Sequence, residues 1–403
     1  MGGVYMRKFF NICIVFIFLF SFSGCKNEST NSKTKELVVI TDYQLKNAVD
    51  NMADYYMQKY PDIKIKVEMP SEETVEEHSA DIQKWNTKIL AGKGPDVYLL
   101  SADYEHYVYE KGMEEKLIKN VDKTMRSGAF ASLSSYMEKD PFWKNTNYNK
   151  NILEAGKYNG KQYVLPITCQ YFGVIGAEKY TVPEVKNLKE LREYVTNPHL
   201  ILFASARWMQ PAMDYKKGEV LFDKEEWAKF AKEYLEADFV QKTREKCDSF
   251  DLCRITEVPE LEAKECIALP NLNGKKIAAI EQYGAIGMSS KYKKEAYEFL
   301  MLFFNDEFEK EKPEGNSSIR QMIASSALYI SDSDDYFQEN PLVFSSYQQL
   351  EGAYFPTDVE RFIYEEIFKI QVLPTNDVPN NLKEQCDTLA DTIYEKYRMI
   401  VEE

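Results

Sequence analysis

The chain has 403 residues, 44% of them hydrophobic and 29% charged, with a formal net charge of -15. That length accommodates two domains, and that balance is of a folded globular protein rather than a disordered one. The acidity argues against a nucleic-acid partner and favours weak repulsion from anionic lipid. Seven cysteines without a CxxC pair, and three histidines (His78, His106 and His199) far apart, offer no metal-ligand spacing, and no cofactor is expected.

Met6-Arg-Lys opens a positive segment, Ile12 to Phe20 is unbroken apolar sequence, and small residues lead to Gly24-Cys25. This reads as a secretory signal over 1–24, too short for a stable membrane span, with Met6 a candidate start. Phe22-Ser-Gly-Cys25 resembles the bacterial lipobox, which implies lipidation of Cys25; a plain signal peptide with an incidental cysteine is the alternative. Residues 25–35 are polar and read as a flexible tether. Together these place a soluble domain outside the cytoplasm, anchored to the outer face of the cell membrane by its lipidated cysteine.

Leu37 to Ile40 is a β-rich apolar run followed by Thr41-Asp42-Tyr43. A helix from about Gln44 to Lys59 carries the stripe Leu45, Val49, Met52 and Tyr56. Ile63, Ile65 and Val67 alternate with charge and predict a second strand. A second amphipathic run, Ile82 to Ala91, ends at Gly92 and Gly94, which can take positive φ, and Pro95 bars its continuation. Val97 to Leu100 is a third strand, followed by Ser101, Asp103 and Tyr104. The order β-α-β-α-β is that of a doubly wound sheet, whose ligands lie past the carboxyl ends of the strands. A helix N-cap at Ser101 or Asp103, with nothing bound, would look the same.

Gly160 to Tyr171 and then Phe172 to Ile175 read as a long strand crossing between lobes. Leu188 to Val195 predicts a helix, Ile201 to Ala204 a strand with Arg207 and Trp208 past its end, and Asp223-Lys-Glu-Glu226 a capping box opening a helix with Trp227, Phe230 and Tyr234 inward. Residues 238–265 are charged and weakly patterned. Ile277 to Met288 reads as strand, turn and strand around Gly284; Lys291 to Asn305 as an apolar helix; and Leu382, Cys386, Leu389, Ile393, Tyr397 and Ile400 as a core-packing helical stripe. Cys247 and Cys253 could pair or remain free thiols.

The body resembles the extracytoplasmic solute-binding proteins of ABC importers, in the family that includes maltodextrin- and oligosaccharide-binding proteins. The resemblance runs through Tyr60-Pro-Asp-Ile-Lys-Ile, Leu90-Ala-Gly-Lys-Gly-Pro-Asp-Val, Gly160-Lys-Gln-Tyr-Val-Leu-Pro, Pro183 with its following helix, and Ser290-Lys-Tyr-Lys-Lys-Glu-Ala-Tyr-Glu-Phe-Leu. It implies an α/β, type II two-lobed fold, each lobe a doubly wound sheet, with an N-lobe of 36–167 plus 277–330 and a C-lobe of 172–276 plus 345–403. It also implies a monomeric receptor, not an enzyme, that closes on a carbohydrate and presents it to ABC permease subunits.

On that resemblance Asp103 matches a carboxylate that bonds sugar hydroxyls, Gln170 a position at the crossing segment, and Asp42 and Tyr43 the ligand-contacting loop after strand one. Asp96, at a strand start, is expected to be structural. Leu100 stands where maltodextrin binders carry an aromatic, and the usual Gly-x-x-Ala-Met segment is not recognisable between 236 and 266. A sugar needs acceptors and donors for its hydroxyls and flat faces for its C–H surfaces. Asp42, Ser101, Asp103, Gln170 and Arg207 supply the first; Tyr43, Tyr104, Tyr171, Trp208, Tyr283 and Tyr354 supply the second. An extracytoplasmic carbohydrate-active enzyme, a sensor partner for a membrane kinase, and a peptide or polyamine binder are the alternatives; no Gly-x-Ser-x-Gly, HExxH or phosphate-loop sequence is present.

Overall fold

The computed structural model describes residues 34–102, 115–145, 148–176, 185–191, 209–241, 250–254, 265–304, 341–371 and 378–402. The leader, Cys25 and most of the tether lie outside them, as do Cys247 and the strand expected at 201–204. Among the described residues no helix is long and apolar enough to cross a membrane.

In chain order the main elements are β1 (Lys35–Thr41), α1 (Tyr43–Lys59), β2 (Ile63–Glu68), α2 (Val75–Leu90), β3 (Val97–Ser101), α3 (Val121–Arg126), β4 (Val164–Gln170), β5 (Phe172–Gly176) and α4 (Lys224–Gln241). They continue with β6 (Phe250–Arg254), β7 (Glu265–Ala268), β8 (Ile277–Ile286), α5 (Lys293–Leu300), α6 (Pro341–Tyr347), β9 (Gly352–Tyr354), α7 (Asp358–Gln371) and α8 (Leu382–Glu402). β1 pairs in parallel with β2 on one side and β3 on the other, which is the expected β-α-β-α-β unit. All four residues of the α1 stripe are buried. Of the two glycines after α2 only Gly92 takes positive φ, at +66°; Gly94 instead makes room for Tyr98, whose Oη would lie 3.0 Å from an added Cβ. Asp96 is structural, as expected: its carboxylate accepts from Val38 N at 2.9 Å and from Ser290 Oγ at 2.6 Å, tying β1 to the approach to α5.

β8 closes this first sheet. It runs antiparallel to β3 and to β4, and β9 pairs in parallel with its first three residues. The turn expected at Gly284 is absent, and β8 is one continuous strand. The glycine is there for packing: a Cβ would sit 2.7 Å from Leu300 Cδ2 and 3.3 Å from Leu99 Cδ2. β9 belongs to this first sheet, so the stretch 345–403 is not wholly in the C-lobe. The described second sheet is β6-β5-β7, antiparallel throughout. α4 packs on α8 and α7. Asp223 caps α4 through Glu226 N at 2.9 Å, and Trp227, Phe230, Tyr234 and the α8 residues Leu382, Cys386, Leu389, Ile393 and Tyr397 are buried.

The chain leaves the first sheet at Gln170 and enters the second at Phe172. It returns between β7 and β8, and crosses again between β9 and α7. Tyr171, at the first crossing, is buried with its hydroxyl 2.9 Å from Ser346 Oγ of α6.

Where β8 ends, an added Cβ at Gly287 would lie 2.2 Å from the Pro95 carbonyl oxygen, a backbone atom that cannot step aside alone. Gly287→Ala is therefore expected to lower stability by about 2 kcal/mol, as overpacking does, seen as a lower midpoint in urea denaturation.

Candidate functional site

Asp42 and Ser101 come together, at the carboxyl ends of β1 and β3. Asp42 is the N-cap of α1, accepting from Leu45 N at 3.3 Å, and it also accepts from the Ser101 backbone N–H. The Ser101 hydroxyl lies 3.2 Å from Asp42 Oδ1 and 2.9 Å from Gln44 Oε1. Both residues are buried, and burial pushes the Asp42 carboxyl up to about 6. Their hydrogen-bonding capacity is thus directed inward, to locking two strand ends. Tyr283 is 0% exposed and meets Phe355 edge-on at 5.7 Å, so the stacking role expected of it gives way to core packing. Tyr171 is likewise committed to α6. Gln170 is buried at the crossing, and its Oε1 has no protein hydrogen-bond partner. Tyr43 is 51% exposed at the start of α1. Asp103, Tyr104, Arg207 and Trp208 lie outside the described residues.

Among the described residues, Tyr354 is an expected site residue that lines a cavity. About 360 Å³ opens between the first lobe and the second. One wall is Asp122 and Arg126 of α3 with Glu154 and Lys157; the other includes Asp214 and Tyr215, which belong to a hairpin pairing Met213–Asp214 with Glu219–Val220. The floor is the third crossing, Ala353 to Phe355 with Thr357. The site therefore sits where the chain changes lobes.

Its side chains are placed by local chemistry. Arg126 lies between two aromatic faces, its guanidinium carbon 4.9 Å from the Tyr158 ring centre and 5.1 Å from that of Tyr215. Asn120 caps α3 through Lys123 N and uses its Nδ2 to donate to the Tyr215 hydroxyl at 2.8 Å. Burial pushes the Asp122 carboxyl up to about 6, against the opposing pull of Arg126 one helical turn on. Asp214 moves the other way, because it accepts from the backbone N–H groups of Lys217 and Lys216. Lys157 pairs with Glu154 at 2.5 Å.

Beneath the cavity floor Glu360 is buried. Its carboxylate accepts from Gln210 Nε2, from Tyr397 Oη at 2.9 Å, and from Thr357 N and Oγ1 at 2.7 and 2.6 Å. This holds the third crossing against α8. Burial raises the Glu360 carboxyl despite these donors.

The cavity offers carboxylates, cations and partly exposed tyrosines, which suits a polar, multiply hydroxylated solute. Among the described residues no group of three or more His, Cys, Asp or Glu side chains could hold a metal ion. Arg126, Tyr158 and Tyr215 were not singled out by sequence. They sit in short, weakly patterned elements, and the one local cue is the turn-forming Asp214-Tyr-Lys-Lys-Gly218, which carries Tyr215 near its tip.

No protein-family model matches the sequence, and no curated protein does. Solved structures do match. An extracellular solute-binding protein family 1 member from Alicyclobacillus acidocaldarius aligns over 91% of this chain and 98% of its own, with TM-score 0.52 and 13% identity. The chain has the two-lobed fold of the extracellular solute-binding proteins. CpMnBP1 with mannotriose bound aligns over 88% of this chain and 100% of its own, with TM-score 0.51 and 16% identity. A de novo designed cysteine esterase, ECH19, aligns over 91% and 98%, with TM-score 0.51 and 15% identity. At these identities the likeness is one of fold, and function must be argued from the site.

Asp122 gives a pH prediction. A carboxyl whose folded pKa stands near 6 binds its proton more tightly folded than unfolded, where the value is about 3.9. Its contribution to stability is therefore full below about pH 4 and is lost as pH rises through about 6. Because Asp122 is only partly shielded by side-chain packing, the difference should be about 1–2 kcal/mol rather than the full linkage value. Urea denaturation at pH 4 and pH 7 should show that Asp122→Asn shrinks the wild-type difference by this amount.

Proposed function

We propose that the protein is a lipid-anchored receptor that binds a carbohydrate, an oligosaccharide by preference, between its lobes and hands it to an ABC permease. The observation that carries this reading is the cavity walled by both lobes, with Tyr215 and Tyr354 at its surface and carboxylates and cations around them. A solute touching both walls stabilises the closed arrangement by its differential affinity for it, and closure is what a membrane partner reads. The bound mannotriose of one fold neighbour supports a saccharide of that size class. The leader ending at Gly24-Cys25 supports anchoring outside the cytoplasm, with membrane contact through the lipid alone.

An esterase-like reading, prompted by the designed neighbour, finds no support in the described cysteines. Cys169, Cys266 and Cys386 are buried free thiols. Burial raises all three, to about 11 for Cys266 and about 12 for Cys386, so the nucleophilic thiolate is disfavoured.

Isothermal titration against neutral oligosaccharides, mannotriose included, should give one-to-one binding without turnover. Tyr215→Ala and Tyr354→Ala should each weaken it roughly tenfold, about 1.4 kcal/mol. Hydrolysis of any panel member, or wild-type affinity in both variants, would contradict the reading. For the anchor, Cys25→Ala should move the protein from the membrane to the soluble extracytoplasmic fraction on cell fractionation.

A further inference from the structure

We infer that α3 is a clasp that holds the two lobes together before any solute arrives. Asn120, Lys123 and Arg126 recur at a spacing of three and so share one side of the helix, at and beyond its cap. Val121 and Met125, on the other side, are buried in the first lobe. The side that carries Asn120, Lys123 and Arg126, all part-buried, is turned to the second lobe. Asn120 Nδ2 donates to Tyr215 Oη at 2.8 Å. Arg126 presents one face of its guanidinium to Tyr158 of its own lobe and another to Tyr215 of the opposite lobe. Lys123 Nζ reaches the carbonyl of Ile400 at 3.5 Å, in the last turn of α8, where the helix dipole favours a cation. A fourth contact lies beside the third crossing: Lys116 Nζ donates to Ala102 O at 2.8 Å, past the end of β3, and pairs with Asp358 Oδ1 at 3.2 Å, at the start of α7.

These contacts run directly from one lobe to the other. Each is individually weak: a neutral hydrogen bond, a stacked cation, a long cation–carbonyl contact and an ion pair with a partly exposed carboxylate. Two of the partners, Arg126 and Tyr215, also line the cavity. The clasp therefore sets the closed population of the empty receptor. A preclosed receptor avoids part of the closing cost when solute binds, and removing the clasp lowers apparent affinity by the factor by which the closed population falls. Entry of a solute then requires the clasp to open first, which slows association.

Small-angle scattering on ligand-free protein tests this without reference to what the cavity binds, so its outcome is separate from that of the carbohydrate reading. The wild type should have the radius of gyration of a compact chain of this length, about 21 Å. Arg126→Ala and Asn120→Ala should each raise it, on the order of 1 Å. Tyr215→Phe keeps the ring and loses only the hydroxyl, so its rise should be smaller than that of Tyr215→Ala. Circular dichroism melts confirm that each variant is folded; should Arg126→Ala fail to fold, the Asn120 and Tyr215 variants read the same claim. Equal radii across the folded variants, or a wild type already as expanded as Arg126→Ala, would overturn the clasp.

Discussion

The structure depends on the position of β8. This one strand is antiparallel to both β3 and β4, and it also receives β9. To build the first sheet the chain must leave it at Gln170, form the second sheet, and come back more than 100 residues later in sequence. The lobes are consequently joined by several crossings rather than one linker. Several crossings leave less freedom between the lobes than one linker would. Close contacts at Gly284 and Gly287 show how little room β8 leaves for any other path.

That wiring explains why the candidate cavity lies at the third crossing and why its support is polar. Glu360 is buried with four donors drawn from Gln210, Thr357 and Tyr397, so the second-lobe wall, the crossing and α8 share one carboxylate. A buried carboxylate satisfied in this way fixes geometry at the cost of desolvation. Asp42 does the same between β1 and β3. Both are acids that do structural work beside the site, while the partly exposed Asp122, Asp214 and Tyr215 face the cavity.

The first β-α-β-α-β unit, the stripe of α1, the capping residue of α4 and the inner face of α8 were all legible in the sequence, because each rests on periodicity or on a local hydrogen bond. The second lobe was less so. Its antiparallel β5, β6 and β7 are held by pairing over long sequence distances, which a single sequence does not display. For the site, residue type was informative and placement was not. An aspartate after a strand reads equally as a cap or as a ligand contact, and Asp42 is a cap. Tyrosines at strand ends look alike, yet Tyr283 is core and Tyr354 reaches the cavity. Arg126 and Tyr215 meet across the lobes from positions nearly ninety residues apart, in elements too short to carry a pattern.

Hydrogen exchange in the presence of a neutral oligosaccharide panel, mannotriose among it, tests the central claim most directly, since it locates the solute on both lobes in one experiment. The account predicts that a binding sugar slows exchange together in residues 118–126 of the first lobe, 210–220 of the second and 352–358 at the crossing. Protection confined to one lobe, or no protection with any sugar of the panel, would contradict it.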